Sequence, residues 1–402
     1  MSDLNAKTNN LPTFDEILLM PEAERRERGL VYTPAEILQQ PATWIETFGI
    51  IERRQDELRE FLHRSGLAPN VLLIGAGTSD YIGRTLVRLI KREWRCPVEV
   101  AASTDLMTEM DSHMSSFAGT ERHLWISFSR SGDSFEGVRV LERAFERFPD
   151  VDHLIVTCSK NGKMAGEITR GRSNVFVLVL DDKVNDQGLA MTSSFTNMIV
   201  AGQCLAHIAD LETVRPILNA LANSAEAAIG DISALAHEIA LMKHDRICFL
   251  GSGPLKGVAI ESALKVLELT GGAYSVMSES FLGLRHGPLA WLNERTLVAG
   301  FLSNDGEKRS VELGLLAEVR SKNAAANVLA IAPQNGLVAP EHADLVLPLG
   351  LPYWVTDDHR APLDIMFAQF LGVYASILNG LKPDSPSSEG KINRVVSEIR
   401  FS

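Results

Sequence analysis

Beyond about residue 70 the chain alternates short apolar runs, rich in β-branched residues, with helix-length stretches of mixed polarity. In the first half the runs are Val71 to Ile74, Val98 to Ala102, Leu124 to Phe128, Leu154 to Thr157 and Val175 to Leu180. In the second half they are Arg246 to Leu250, Ala273 to Met277, Thr296 to Phe301, Val328 to Ile331 and Leu345 to Pro348. Runs that are apolar at consecutive positions read as strands covered on both faces, as in parallel sheets. Before them, Trp44 to Leu62 has helical spacing; between the two series a helical region from about Gly188 to Ala240 predicts two helices broken near Asn223-Ser224.

The second series repeats the first. Leu72-Leu73-Ile74-Gly75-Ala76-Gly77-Thr78-Ser79 and Phe249-Leu250-Gly251-Ser252-Gly253 are both glycine-punctuated strand-to-helix turns, and Gly251 follows Gly75 by 176 residues (251 minus 75). The expected fold is therefore α/β: a doubly wound five-stranded parallel sheet flanked by helices, built twice. The expected boundaries are an N-terminal arm over 1–43, a first domain over 44–222, a second over 223–380, and a tail over 381–402 that closes over a cleft.

Composition narrows the function. The 402 residues are 45% hydrophobic with mean hydropathy +0.03, enough for two well-filled cores. A formal charge of -12 and a pI near 5.4 set a field that repels polyanions, so neither nucleic acid nor an anionic membrane is an expected partner. An anionic ligand would then depend on local donors. Cys96, Cys158, Cys204 and Cys248 are widely spaced and form no CxxC, which suits buried thiols in a reducing compartment. The first ten residues lack the apolar core of a signal peptide, and the stretch from Gly188 to Ala209 is too polar to span a bilayer. A cytoplasmic protein is expected.

Local donors for a phosphate stand after the first-half strands. Thr78-Ser79 follows the first glycine turn, Ser129-Arg130-Ser131-Gly132-Asp133-Ser134 follows the third apolar run, and Asp186-Gln187-Gly188 follows the fifth. Ligands in open parallel sheets gather at these carboxyl ends, where glycines admit a close backbone and helix starts favour an anion. A single serine there often only caps a helix; several hydroxyls around two adjacent turns point further. Asp80 stands where a dinucleotide fingerprint would place its third glycine, and there is no GxxxxGK[ST] run. No cofactor is expected. Nor is a metal, since the histidines show no HxxxH or HExxH spacing and Asp357-Asp358-His359-Arg360 reads as a turn and cap before Pro362.

Acid and base groups lie in the second half. Steps of four and three residues place Glu261, Lys265 and Glu268 along one helical stripe. Such a stripe is ordinarily a solvated ion pair, but this helix begins at the second glycine turn and should face its sheet. A carboxylate in a partly dry setting can serve as a general base, and His286, in a loop before Gly287-Pro288, suits proton transfer near neutral pH.

Taken together, these segments resemble the tandem sugar isomerase (SIS) domain proteins, which include the isomerase half of glucosamine-6-phosphate synthase. The resemblance spans roughly Trp44 to Val396. Gln40-Pro41-Ala42-Thr43-Trp44, Gly188-Leu189-Ala190-Met191-Thr192-Ser193-Ser194, the stretch Glu261 to Thr270 and Asn393-Arg394-Val395-Val396 are similar to the subgroup described as tagatose-6-phosphate ketose/aldose isomerase or galactosamine-6-phosphate deaminase/isomerase. The resemblance implies two tandem SIS domains. It implies that Thr78, Ser79, Ser129, Arg130, Ser131 and Ser134 hold a 6-phosphate, with Gly77, Met191, Thr192 and Arg394 also lining the substrate cleft. It implies that Glu268 moves a proton between C1 and C2, Lys265 polarises or orients the substrate, and His286 opens the ring. It also implies a homodimer or higher homo-oligomer, with His286 supplied across the interface as in related enzymes.

The chain contains no glutaminase domain, so amino sugar catabolism is expected rather than synthesis. The expected reaction is D-galactosamine 6-phosphate plus water to D-tagatose 6-phosphate plus ammonia. The alternatives are plain ketose/aldose isomerisation of tagatose 6-phosphate, glucosamine-6-phosphate deamination, and, more distantly, a non-catalytic sugar-phosphate sensor. Departures from the synthase pattern bear on the fine mechanism and the epimer: Gly283 and Met191 stand where it has glutamate and serine, and Arg394 replaces a C-terminal lysine.

Overall fold

A computed structural model describes residues 11–64, 69–115, 122–387 and 389–396. Parts of the expected arm (1–10) and tail (397–402) lie outside the described residues. The chain divides into two compact units. The N-terminal unit comprises Ala42–Asn185, Ser193–Leu218 and Asn393–Ser402; the C-terminal unit comprises Met1–Pro41, Asp186–Thr192 and Asn219–Ile392.

The N-terminal unit is built on β1 (Asn70–Gly75), β2 (Val98–Ala102), β3 (His123–Ser129), β4 (Asp152–Thr157) and β5 (Val175–Val179). All pair in parallel, in the order β2-β1-β3-β4-β5. Val71, Leu73, Leu124, Ile126, Leu154 and Val156 are buried, as strands covered on both faces require. The helix Thr78–Trp94 packs on β1 and β2, and the wholly buried helix Ser193–Ala206 packs on that helix in turn. A Trp44 indole N–H donating to Thr196 Oγ1 at 3.0 Å helps fix the helix Gln40–Arg53 on the same unit.

The C-terminal unit repeats the plan with β6 (Arg246–Gly251), β7 (Ser275–Glu279), β8 (Thr296–Phe301), β9 (Asn327–Ala332) and β10 (Leu345–Pro348), ordered β10-β9-β8-β6-β7. Read from the other edge, β7-β6-β8-β9-β10 matches the N-terminal order, strand for strand. The helix Leu255–Leu269 lies on β6 and β7 and against the helix Met366–Leu378. The stretch Ala361–Leu378 is long and apolar enough to cross a membrane, but 89% of it is buried inside the fold, the setting of an interior helix.

Two local readings are corrected. The helix expected to break near Asn223-Ser224 runs unbroken over Val214–Leu241. Asparagine and serine cost a helix only a few tenths of a kcal/mol each, and here they sit in an alanine-rich run, with Ser224 Oγ donating to Gly350 O at 3.1 Å. The interruption falls at Ile208–Thr213, where Asp210 leaves helical geometry at φ -142 and ψ 75. The arm is also more ordered than its polarity suggests, with short helices Phe14–Leu19, Glu22–Arg28 and Thr33–Leu38. The first begins with a capping box between Thr13 and Glu16, and its Phe14 ring meets Phe370 edge-on at 4.8 Å.

Candidate active site

In both units a glycine ends the first strand, β1 or β6, and lets the next helix start against it. A Cβ on Gly75 would lie 2.2 Å from the Ser79 carbonyl carbon, and one on Gly251 would lie 2.1 Å from the Leu255 carbonyl oxygen. Neither position tolerates a side chain without moving backbone. After β1, Gly77 adopts φ 55 and the helix opens with Thr78, Ser79 and Asp80, all buried. Asp80 accepts a hydrogen bond from Arg84 Nε at 2.7 Å; burial holds its carboxyl above the usual range, partly offset by that guanidinium.

The adjacent strand end carries the second set of hydroxyls. Ser129 Oγ accepts the Gly132 N–H at 3.1 Å, and Ser131 Oγ accepts the Asp133 N–H at 3.1 Å. Each serine thus shapes its own turn through a lone pair and keeps an O–H to donate. Ser134 precedes the helix Phe135–Arg147 without capping it through its side chain, so its hydroxyl is not committed to the helix end. Because β1 and β3 are neighbours in parallel register, Thr78, Ser79 and the Ser129–Ser134 turn emerge at adjacent strand ends. Arg130 is buried beside them; its Nη2 donates to the carbonyl of Arg394. Arg394 in turn donates to Asn185 Oδ1 at 2.8 Å, so a tail residue joins this loop cluster.

The helix Leu255–Leu269 in the C-terminal unit holds the charged stripe. Lys265 and Glu261 side chains are fully buried, with Lys265 Nζ 3.2 Å from Glu261 Oε1 and 2.6 Å from Glu268 Oε2. Burial, the largest influence, pulls the Lys265 ammonium down, but the two carboxylates together outweigh it and hold the lysine above its usual range. The Glu268 side chain is 24% exposed. One of its oxygens is held by Lys265, and the carboxylate still reaches solvent.

His286 lies in an exposed turn after β7, its N–H bonded to Gly283 O at 3.0 Å. Here the sequence reading passed over a carboxylate. Glu279 accepts Lys256 Nζ at 2.9 Å and the Ser280 N–H at 2.7 Å, and these hydrogen bonds hold its carboxyl below the usual range. A Cβ on Gly283 would stand 2.7 Å from Glu279 Oε1. The space next to position 283, where the synthase pattern has a glutamate, is therefore taken by the carboxylate of Glu279. The only sequence signal was the Gly283 departure itself.

Met191 and Thr192 fall in a separate cluster of the C-terminal unit. Thr192 donates through its N–H to Asp186 Oδ2 at 2.8 Å and through its hydroxyl to Asp186 Oδ1 at 3.2 Å, and it is fully buried; Met191 beside it is half-buried. Two further carboxylates complete this cluster and were not foreseen. Glu36 accepts the backbone N–H groups of Gln187 and Gly188, and Asp384 accepts those of Val31, Tyr32 and Thr33 at 2.7–3.2 Å. Burial and the nearby Asp186 push the Glu36 carboxyl up to about 8. Among the described residues, no group of three or more His, Cys, Asp or Glu side chains is placed to hold a metal ion. A cavity of about 670 Å³, lined by Arg59, His63, Trp94 and His207 among others, opens near the amino ends of β1 and β3, the end of the sheet away from the serine turns.

The SIS domain family matches twice, over residues 68–208 and 240–377. A D-galactosamine-6-phosphate deaminase, AgaS, from Escherichia coli is 34% identical over 92% of this chain and 94% of its own length. A Streptomyces coelicolor relative is 39% identical over 92% of this chain and 94% of its own. The crystal structure of tagatose-6-phosphate ketose/aldose isomerase from Escherichia coli superposes with a TM-score of 0.80 at 32% identity, covering 88% of this chain and 94% of that one. With two matched copies, two parallel five-stranded sheets and full-length relatives above 30% identity, this chain belongs to the SIS domain family.

Proposed function

We propose that this protein is an amino sugar phosphate isomerase/deaminase that converts D-galactosamine 6-phosphate and water to D-tagatose 6-phosphate and ammonia. The relatives named for that deamination, matched over nearly their whole length, support the reading. The observation within this chain that carries it is the buried Glu261-Lys265-Glu268 stripe, which presents one partly exposed carboxylate held at 2.6 Å by an ammonium.

In this reading Thr78, Ser79, Ser129, Arg130, Ser131 and Ser134 take the 6-phosphate through hydroxyls, guanidinium and loop amides. Arg394, tied to Asn185 and Arg130, stiffens that loop, Gly77 and the half-buried Met191 line the path of the sugar, and the buried Thr192 secures the backbone beside Met191 through Asp186. His286 assists opening of the pyranose. Glu268 then takes the C2 proton as the C1 oxygen gains one, giving an enolamine. Returning the proton to C1 leaves a C2 iminium, and water adds to it and expels ammonia, giving the ketose. Lys265 keeps the Glu268 carboxylate aimed throughout. Positioning of this kind can supply several kcal/mol of the barrier reduction, on the order of 7 or more in favourable cases.

The exposed position of His286 is compatible with its reaching the substrate of a neighbouring subunit, so we take the working form to be a homodimer or larger homo-oligomer acting in the cytoplasm. The structurally similar tagatose-6-phosphate ketose/aldose isomerase favours one second reading, the same proton shuttle without loss of nitrogen. Incubating the protein with galactosamine, glucosamine and tagatose 6-phosphates while following ammonia and sugar interconversion separates them. Ammonia from galactosamine 6-phosphate in step with ketose supports the deaminase; interconversion of tagatose 6-phosphate with no ammonia from either amino sugar replaces it with the isomerase.

A further inference from the structure

The matched sheet orders place the loop after β8 at the position that the serine turn after β3 holds in the other unit. In the β3 copy the donors bond within their own turn. In the β8 copy, Leu302-Ser303-Asn304-Asp305, the donors close around carboxylates. Ser303 N–H donates to Glu312 Oε2 at 2.7 Å, Ser303 Oγ donates to Asp357 Oδ2 at 2.5 Å, and Asn304 N–H donates to Asp357 Oδ1 at 2.8 Å. Cations complete the shell: Arg360 Nη1 lies 3.6 Å from Asp357 Oδ1, and Lys308 Nζ lies 4.0 Å from Asp357 Oδ2.

The site is built rather than incidental. Ser303, Glu312, Asp357 and Arg360 are all buried. Arg360 is held by a bidentate pair to Asp364 at 2.7 and 2.8 Å and donates to Leu302 O at 2.6 Å, so it cannot swing away. Asp357 is carried in on the irregular segment between β10 and the helix Ala361–Asp364, not on a regular element of the sheet. One backbone amide and one hydroxyl bond the two Asp357 oxygens with cations close by, beside a second amide that Glu312 takes, and this is the kind of donor set by which loops at strand ends hold phosphate. Burial pushes the Glu312 carboxyl up to about 7.

We propose that the loop after β8 is a second anion-binding site, suited to phosphate, that Asp357 keeps filled as a tethered anion. Removing that carboxylate opens the site to free inorganic phosphate. In the wild-type chain this loop takes no free phosphate, because its own aspartate already holds the Ser303 hydroxyl and the Asn304 N–H.

The test measures inorganic phosphate bound per chain, by equilibrium dialysis with labelled phosphate, for the wild type and Asp357→Ala. One additional phosphate per chain is expected in the variant, with its melting temperature recovering toward wild type in phosphate but not in chloride at matched ionic strength. Adding Ser303→Ala should weaken the new site about tenfold, the worth of one hydrogen bond. If Asp357→Ala folds and binds no more phosphate than the wild type, the proposal is overturned. Should Asp357→Ala be recovered folded only when phosphate is present, that rescue supports it. No rescue, together with no added phosphate on Asp357→Ser, overturns it. The count is a difference between two proteins, so it stands whether or not the β3 loop binds sugar phosphate; failure of that reading would show instead as no phosphate on the wild type.

Discussion

The helix that follows β1 and the helix that follows β6 start in the same way and carry different chemistry. Both are admitted by a glycine whose Cβ would strike the backbone four residues on. At the 176-residue offset, Thr85, Leu89 and Arg92 of the N-terminal copy correspond to Glu261, Lys265 and Glu268 of the C-terminal one. Leu89 is fully buried, as an interior helical position ordinarily is, and Lys265 is equally buried with two carboxylates for company. The difference shows that one repeated frame carries two unlike sets of side chains at matching positions. The N-terminal copy keeps an apolar helix face and puts hydroxyls at its strand ends; the C-terminal copy closes its own loop with Asp357 and moves charge inside the helix.

Replacing Lys265 tests that contrast most severely. Lys265→Met should cost about 3–5 kcal/mol of stability, because Glu261 is left buried without its ammonium. Combining it with Glu261→Gln should return much of that loss, as the N-terminal copy already tolerates Thr85 and Leu89 there. Denaturant titration of the single and double variants checks both; an unchanged single variant would mean that the buried triad contributes nothing. Next in size, Gly75→Ala and Gly251→Ala should each cost about 3 kcal/mol or more, since backbone must move in both units. Unequal losses would show that the two turns are not the same device.

Smaller effects concern what secures each copy. Asp384→Ala leaves the amides of Val31, Tyr32 and Thr33 without their carboxylate and should destabilise the C-terminal unit by about 2 kcal/mol, read as loss of hydrogen-exchange protection over Thr33–Leu38. The smallest is a pH effect. Glu36 is protonated in the folded chain up to about pH 8 but ionised in the unfolded chain above the ordinary glutamate value of 4.5. The folded state therefore binds the extra proton in this window, and stability from this group falls as pH rises from about 4.5 to about 8. Glu36→Gln, which mimics the protonated form, should gain on the wild type by on the order of 1 kcal/mol between pH 5 and pH 8. Parallel melting curves for the two proteins across that range would contradict the assignment.

Much of this was legible in the chain because the signals are local. Strands covered on both faces must be apolar throughout, so their bounds fell within a few residues of Asn70–Gly75, Thr296–Phe301 and their fellows. The Glu261-Lys265-Glu268 contacts follow from helical spacing alone. What escaped was long-range. Glu36 meets Gln187 from 151 residues away, Asp384 meets Val31 from 353, and Ser303 meets Asp357 from 54. No periodicity reports such pairs, since each depends on how the chain returns to itself. Glu279 lay close in sequence to His286, yet only the space beside Gly283 shows why the glycine is there.

The central claim is that Glu268 carries the proton between C2 and C1. The direct measurement is Glu268→Gln with galactosamine 6-phosphate in deuterated water, following ammonia release and deuterium entry at carbon while checking substrate binding separately. We expect binding to persist while both chemical signals fall by about 10³-fold or more, the scale of a lost general base. Ammonia release and deuterium incorporation at wild-type rates would contradict the account.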